Sequence, residues 1–325
     1  MNPADQQGRT LAITGASGFV GRHVCRLAVE RGWKVRALVR DLDGALPHLP
    51  RSGVQMLVGD IGDRGAVRAL VEGAEAAVHL VGIRREMKPG GFRRLHVDAT
   101  RRVVEACLDS GVRRYVHMSA LGTRPFGASA YHKTKWEAER IVRRSALDWT
   151  IFRPSLIHGP DGEFMKMAKG WVTQKAPPFL FLPYFVRVIP GIPCPKWETP
   201  RLSPVSVDDV ASAFVGALDN ASTIGEVYPL VGPEAMTWPD MLRTVRDGVP
   251  GANVSLQPLG IPQDAAWLKA KTAELLGVGS LLPFGTSEAI MAAEDNVASP
   301  AKAEADLGLH PRAFEPALRA YAPLI

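Results

Sequence analysis

The sequence predicts an α/β protein in which a doubly wound parallel sheet fills the first half and a smaller C-terminal region completes the chain. Two observations carry this prediction. Short apolar runs alternate with helix-period segments from Leu11 to Arg153; strands joined through helices run parallel and are covered on both faces. The first run ends in Thr14-Gly-Ala-Ser-Gly-Phe-Val-Gly21, a glycine-studded turn that opens directly into a helix.

In chain order, strands are expected at Leu11–Thr14, Lys34–Val39, Gln55–Val58, Ala76–Leu80, Arg114–Met118 and Trp149–Arg153. Helices are expected at Phe19–Arg31, Gly65–Glu72, Phe92–Ser110 and Thr134–Ser145. Gly15, Gly18 and Gly21 are spaced three apart. A tight turn, close phosphate approach and close helix–strand packing each exclude a Cβ at such positions. The helix N-terminus behind them offers free N–H groups and a positive dipole end to an anion. With Ser17, Phe19 and Val20 of the same turn, these glycines predict a dinucleotide-binding site of the Rossmann type.

Ligands of such sheets sit at the carboxyl ends of the strands. Thr14–Gly18, Arg40, Asp60 with Ile61, Leu80-Val81-Gly82, Ser119 and Pro154-Ser155-Leu156 all fall there. After Pro154 the alternation breaks. Residues 176–195 are strongly apolar yet hold six prolines, which break a helix and leave backbone groups unpaired in lipid. A membrane span is therefore rejected, and a loop or hairpin over a substrate cleft is expected. An apolar pocket, or a patch meeting a membrane surface or protein partner, is the sharper reading. Pro204–Leu218 and Tyr228–Val231 read as a return to the main sheet, and helices are expected near Trp238–Asp247 and Asp264–Leu276. The resulting division assigns residues 1–160, with 202–232, to the dinucleotide-binding domain. Residues 161–201 and 233–325 form the smaller substrate-cleft domain.

At 325 residues, 46% hydrophobic and 22% charged, the chain has ample material for either one core or two. Its net charge of +6 comes with five Arg-Arg pairs, at 84/85, 93/94, 101/102, 113/114 and 143/144. They are scattered, so solvated helix faces account for most, with an anionic ligand near Arg84–Arg102 as the sharper alternative. No aromatic residues interleave with them, which argues against nucleic acid. Cys25, Cys107 and Cys194 lack pairing spacing and suggest a reducing compartment. The first nine residues are polar, so no secretory leader is expected and a cytoplasmic location is predicted. No His/Cys/acid spacing suits a metal, and there is no Gly-x-Ser-x-Gly elbow. His79, His117 and His158 read as satisfied core or cleft residues.

Arg40 ends the second strand, 22 positions after Gly18. An acidic residue there would favour NAD, whereas an arginine can grip a 2′-phosphate, so NADP(H) is expected over NAD(H). Asp60 could accept from an adenine amino group or cap the next helix. Tyr131 and Lys135, four residues apart on a helix, share one face. A nearby ammonium would lower the phenol's pKa and fit it for proton exchange. Ser119 could orient a carbonyl or hydroxyl.

Together, Thr14–Gly21, Arg40, Gly59-Asp60, Ser119, Tyr131-His-Lys-Thr-Lys135, Arg153–Pro160 and Pro204–Ala211 resemble the short-chain dehydrogenase/reductase superfamily in its extended or atypical branch. His79–Ile83, Met118–Gly122 and Gly225–Pro233 resemble the group that contains the NADPH-binding accessory subunit of respiratory complex I. The resemblance covers roughly residues 10–245. It implies an acid/base role for Tyr131, ribose binding and tyrosine tuning for Lys135, which counts also among the cofactor residues, and substrate positioning for Ser119. It leaves three readings open. One is an NADP(H) oxidoreductase acting on a small or apolar carbonyl or alcohol. Another is a non-catalytic NADPH-binding protein, structural or redox-sensing. The third is a sugar-nucleotide epimerase or dehydratase, which the short Ser119–Tyr131 interval weighs against.

Overall fold

The computed structural model describes residues 9–279 and 282–325, so all but the last of the nine polar N-terminal residues lie outside it. Each apolar run becomes a strand with both faces covered. The first half contains β1 (Thr10–Thr14), α1 (Phe19–Glu30), β2 (Lys34–Val39), α2 (Leu42–Ala45), β3 (Val54–Val58), α3 (Arg64–Val71) and β4 (Ala76–His79). A π-helical stretch at Arg93–Asp98 then runs into α4 (Ala99–Asp109), followed by β5 (Arg114–Met118), α5 (Ala130–Arg143) and β6 (Asp148–Pro154). The strand boundaries agree with those expected to within a residue.

The second half is more broken. It holds β7 (Ile157–His158), α6 (Glu163–Val172), β8 (Leu182–Ile189), β9 (Lys196–Glu198), β10 (Arg201–Leu202), β11 (Val205–Ser206) and α7 (Val207–Leu218). Then come β12 (Glu226–Leu230), β13 (Met236–Thr237), α8 (Trp238–Gly248), β14 (Pro258–Pro262), α9 (Gln263–Leu275), α10 (Thr286–Met291), α11 (Ala301–Leu307) and α12 (Phe314–Tyr321). Segment 176–195 supplies β8, which hairpins with β9 and pairs in parallel with β14. Pro204–Leu218 is mainly the helix α7 rather than sheet, while Glu226–Leu230 does join the sheet.

Seven parallel strands form the central sheet in the order β3-β2-β1-β4-β5-β6-β12. The order reverses between β1 and β4, which opens a crevice at their carboxyl ends. One face packs on α1 and α7, with Phe152 against Phe214 at 4.8 Å between ring centroids and Tyr228 beside them. The other face packs on α3, α4 and α5 through Leu70, Val103, Cys107 and Tyr115. Cys25 and Cys107 are core residues, and burial pushes both thiols up to about 12. A third core lies among α6, α8, β8 and α12, built on Met165, Leu182, Met241, Leu242, Phe314 and Leu318.

Two boundaries differ from expectation for local reasons. Helix α5 starts at Ala130, four residues early, because the Ser129 side chain accepts the His132 amide at 3.1 Å and caps it. Helix α3 is capped by Asp63, which accepts from Gly65 at 2.8 Å, so Asp60 is not its cap. Among the arginine pairs, Arg114 departs from the solvated reading. Its guanidinium is sunk among the carbonyls of Asp148 and Ala217 and the hydroxyls of Thr150 and Thr223, tying β5 and β6 to α7.

Because Phe214 is fully buried against the ring of Phe152, Phe214→Ala should leave a cavity and lower unfolding stability by about 3–5 kcal/mol. Urea denaturation checks this through a lower midpoint at unchanged slope; a midpoint equal to wild type would show that this face does not hold the sheet together.

Candidate functional site

The turn after β1 is shaped by absent side chains. Gly15 has φ +73°, and a Cβ there would lie 3.1 Å from the Leu80 carbonyl carbon and the Val81 amide nitrogen. The turn thus presses on the chain leaving β4. A Cβ on Gly21 would run into the Gly15 carbonyl oxygen and lie 2.6 Å from that of Ala16. Gly18 begins α1 with extended backbone and donates to Gly15 O at 3.1 Å. The amides of Phe19, Val20 and Gly21 have no carbonyl one turn back within the helix, and no side chain caps them or places acid in the first turn. Such a cradle suits a phosphate and rejects bulk.

The other expected cofactor residues are distributed around this crevice. Arg40 is exposed at the end of β2 and makes no ion pair among the described residues. The neighbouring Asp41 carboxylate accepts from Asp43 N at 3.2 Å. Asp60 is exposed and accepts from Gly62 N at 2.7 Å, while buried Ile61 accepts Arg102 at its carbonyl, at 2.9 Å. Ser155 is held more tightly: its amide bonds Leu230 O at 2.9 Å and its hydroxyl donates to Asn296 O at 3.1 Å. Pro154 accepts the Leu121 amide at 2.9 Å. Ser17 sits in the turn itself.

Tyr131 lies in the first turn of α5, and Lys135 follows one turn later. Lys135 is buried and donates to Met118 O at 3.0 Å, while a Cβ at Gly82 would sit 3.0 Å from its Nζ. The carboxyl ends of β4 and β5 therefore converge on this ammonium. Ser119, the residue after β5, is buried, with its hydroxyl donating to Thr123 Oγ1 at 3.3 Å and its amide bonded to Phe152 O at 2.7 Å.

Burial lowers Lys135 to about 8, opposed by the carboxylate of Glu139. Burial also pushes Tyr131 up to about 12, opposed by Arg84. The expected lowering of the phenol by Lys135 is not found: burial of the phenol outweighs the charges around it, and the Lys135 ammonium donates to the Met118 carbonyl. Glu139 itself is fully buried, clamped by Arg153 at 2.8 and 2.7 Å and approached by Arg143 at 3.2 Å. Tyr131, Lys135 and Glu139 occupy one helix face. That spacing was legible in the sequence; the burial of Glu139 was not.

His96 is a second residue that sequence reasoning missed. Its ring meets Tyr131 edge-on at 5.3 Å, with Phe92 at 5.9 Å from the same tyrosine. Its Nδ1 lies 2.9 Å from Thr134 Oγ1, whose own proton is directed at Ala130 O or Tyr131 O. Its Nε2 lies 3.2 Å from the Ile83 amide nitrogen and 3.1 Å from the Ile83 carbonyl oxygen, and the tautomer decides which of the two it bonds. Burial lowers His96 to about 2 and keeps it neutral. Beneath it, His79, Tyr115 and His117 stack, with His79 bonded to Thr14 at 2.6 Å. The Nε2 of His79, both ring nitrogens of His117 and the Tyr115 hydroxyl have no partner among the described residues. His158 bonds Tyr321 at 3.0 Å through Nδ1 only. These histidines are core residues, as read from the sequence, but not satisfied ones.

A family profile described as NAD(P)H-binding matches residues 15–170. A ceramide reductase of Caulobacter vibrioides is 30% identical over 234 residues, covering 72% of this chain and 68% of that protein. The mitochondrial NADH dehydrogenase (ubiquinone) 1 alpha subcomplex subunit 9 of Dictyostelium discoideum is 25% identical over 274 residues, 83% of this chain and 71% of its own. Among solved structures, gox2253 matches with a TM-score of 0.68 at 27% identity and 97% coverage of both chains. The NADPH-dependent quinone oxidoreductase QOR2 of Escherichia coli, complexed with NADPH, matches with a TM-score of 0.71 at 16% identity, over 95% of this chain and 99% of that one. The last match speaks for the fold alone.

Glu139→Gln should move Lys135 further down. A lysine lowered by burial is charged only below its folded-state pKa, so the ammonium would be lost at a lower pH than in the wild type, where the change falls near 8. The pH dependence of Lys135 acylation, followed by mass spectrometry, reads the midpoint; an unmoved midpoint would show that Glu139 does not act on Lys135. Leaving Arg153 unpaired should also lower unfolding stability by about 3 kcal/mol.

Proposed function

This chain belongs to the extended short-chain dehydrogenase/reductase family of NAD(P)H-binding proteins, and we propose that it is an NADP(H)-dependent oxidoreductase acting on an apolar carbonyl or alcohol. The observation that carries this reading is the convergence of the carboxyl ends of β4 and β5 on Lys135, one turn along α5 from Tyr131 and beside the strand end against which the glycine turn presses. Gly15, Gly18 and Gly21, with the free amides of Phe19 and Val20, would hold the pyrophosphate. Leu80, Val81 and Gly82 would line the crevice, with Asp60 and Ile61 on the adenosine side and Pro154 and Ser155 beyond β6. When bound, NADP(H) supplies or accepts the hydride.

The chain's own groups handle the proton and the substrate oxygen. Tyr131 donates its phenolic proton to a carbonyl oxygen in reduction and takes it back in oxidation. With a phenol raised to about 12, the tyrosine is the neutral acid throughout the physiological range. Phenolate formation needs positive charge nearby, which Lys135 would provide by turning from Met118 O and Arg84 already supplies in part. The Ser119 hydroxyl, held now by Thr123, would orient the same oxygen. A relative named as a ceramide reductase and the apolar segment 176–195 support an apolar substrate.

The preference for NADP(H) rests on Arg40, exposed and without an ion-pair partner among the described residues at the end of β2. Arg40→Ala should weaken NADPH binding about tenfold or more, the worth of a hydrogen bond to a charged group, and leave NADH nearly unchanged. Fluorescence titration of both nucleotides decides; equal losses would remove the 2′-phosphate assignment.

One observation favours a second reading, a cofactor held for structure. A phenol raised to about 12 yields its phenolate less readily than a free one, and a relative is named as an NADH dehydrogenase (ubiquinone) 1 alpha subcomplex subunit. Tyr131→Phe separates the two. The catalytic reading expects NADPH affinity to persist and reduction of apolar carbonyls to fall by about 10²–10⁴-fold. If the wild type binds NADPH, reduces no such carbonyl and is matched by the variant in every property, the structural reading stands.

A further inference from the structure

We propose that this protein docks on an anionic phospholipid surface through the outward face of α9 and the β8–β9 hairpin of the same module. Helix α9 is apolar on two opposite sides. Ala266, Ala270 and Ala273 are buried and share the side turned to the protein. Leu268 and Leu275, seven residues apart and so on one stripe, lie directly opposite them. Leu275 and the following Leu276 are 77% and 72% exposed. A surface helix normally keeps its outward face polar; on α9 exposed leucines stand on that face among Asp264, Lys271 and Thr272.

The patch extends beyond the helix. More than half of the exposed large apolar side chains among the described residues lie in segments 179–197 and 254–278. These segments form one module, since β8 is hydrogen-bonded between β9 and β14 and α9 follows β14 without a loop. In the hairpin segment, Leu180 is 82% exposed and Ile192 wholly so, with Trp197 also on the surface.

The charges interspersed with this apolar surface select the occupant. Lys175, Lys196, Lys269 and Lys271 are exposed and form no ion pair among the described residues. Of the module's carboxylates, Glu198 is paired with Arg187 at 2.8 Å, while Glu274, which accepts from Thr286 at 3.1 Å, and Asp264 have no cationic partner among the described residues, so four lysines stand against two acids. The surplus is positive and carried by lysine. Interfaces between proteins are depleted of lysine at their cores. At a bilayer, by contrast, lysine stems lie along apolar surface while their ammonium groups reach anionic headgroups, and tryptophan and leucine enter the acyl boundary.

The patch also adjoins the candidate site. Arg85, three residues past Gly82, donates to the Leu282 carbonyl at 2.5 Å and to that of Gly279, just beyond the end of α9. Arg84 pairs with Glu288 of α10 at 3.3 Å. The segment just past the C-terminal end of α9 therefore stands against the loop that leaves β4. An apolar substrate could pass from the lipid to the crevice there, and that clause alone rests on the function proposed above.

Co-sedimentation of the full chain with vesicles tests the docking. The protein should bind vesicles of phosphatidylcholine mixed with phosphatidylglycerol, bind phosphatidylcholine alone weakly, and lose affinity for the mixed vesicles as salt screens the lysines. The double variant Leu268→Glu/Leu275→Glu should bind mixed vesicles at least about tenfold more weakly, with NADPH affinity and thermal unfolding as in the wild type. Lys269→Gln/Lys271→Gln, which leaves the apolar stripe intact, should lower binding to the anionic vesicles only. Absence of binding to the mixed vesicles, or equal binding by the leucine variant, overturns the proposal. So does a dimer that the leucine variant disperses without any vesicle binding, which would assign the face to a second copy of the chain. If vesicle binding holds but no carbonyl dissolved in the bilayer is reduced, the substrate reading fails and the docking stands.

Discussion

The close approach of the glycine turn to the chain leaving β4 is the contact on which the rest of the site depends. With no Cβ at Gly15, the turn lies against the backbone of Leu80 and Val81, and with none at Gly21 the first turn of α1 closes on Gly15 and Ala16. Those two absences bring the positive end of α1 to the place where strand order reverses. They also fix the path of the next residues of the chain, so that Gly82 emerges beside Lys135 and Ile83 beside His96. A side chain at Gly15 would have to displace backbone rather than another side chain, at a φ that only glycine adopts without strain.

Placing an ammonium at that point carries an electrostatic cost, and the packing of α5 offsets it in two ways. The first is direct: Lys135 has a carbonyl acceptor in Met118 and a carboxylate one turn along the helix in Glu139. The Glu139 carboxylate is itself satisfied in the dry interior by Arg153 from β6 and by Arg143 from its own helix. The second is the neutrality of what surrounds the ammonium. Burial lowers His79 to about 3, His96 to about 2 and His117 well below its ordinary value, and the charge of Lys135 adds to each effect. Imidazole rings are thus packed around the lysine without repelling it. The unpartnered nitrogens of His79 and His117 remain a desolvation cost of the core.

The strands were legible because an apolar run bounded by polar residues admits few alternatives when both its faces are covered. The glycine turn was legible because three positions without Cβ at a strand–helix junction have few other uses. What escaped were features set by tertiary contact. Helix α5 begins at Ala130 because of a serine cap, and Tyr131-His132-Lys133 carry no apolar period that would announce it. His96 turns inward from a π-helical stretch, where the side-chain rotation departs from the 3.6-residue period on which sequence reading relies. The direction of the Tyr131 shift escaped for a related reason: spacing places Lys135 on the tyrosine's face of the helix, but burial of the phenol, set by tertiary packing, raises it.

The four residues from Gly82 to Arg85 join the charged interior to the apolar exterior. Gly82 is pressed against Lys135, the Ile83 backbone meets His96 Nε2, Arg84 pairs with α6 and α10, and Arg85 holds the chain just past the end of α9. Each consecutive residue contacts a different element. A glycine first and two arginines last suit that sequence of environments, since the first must admit a close ammonium and the last two must reach outward across partly wet ground. The position of α9, with its unpartnered leucines, is therefore not independent of the position of Lys135. Sequence alone separates these features by more than a hundred residues; the fold reduces the separation to one short span of backbone engaged at every step.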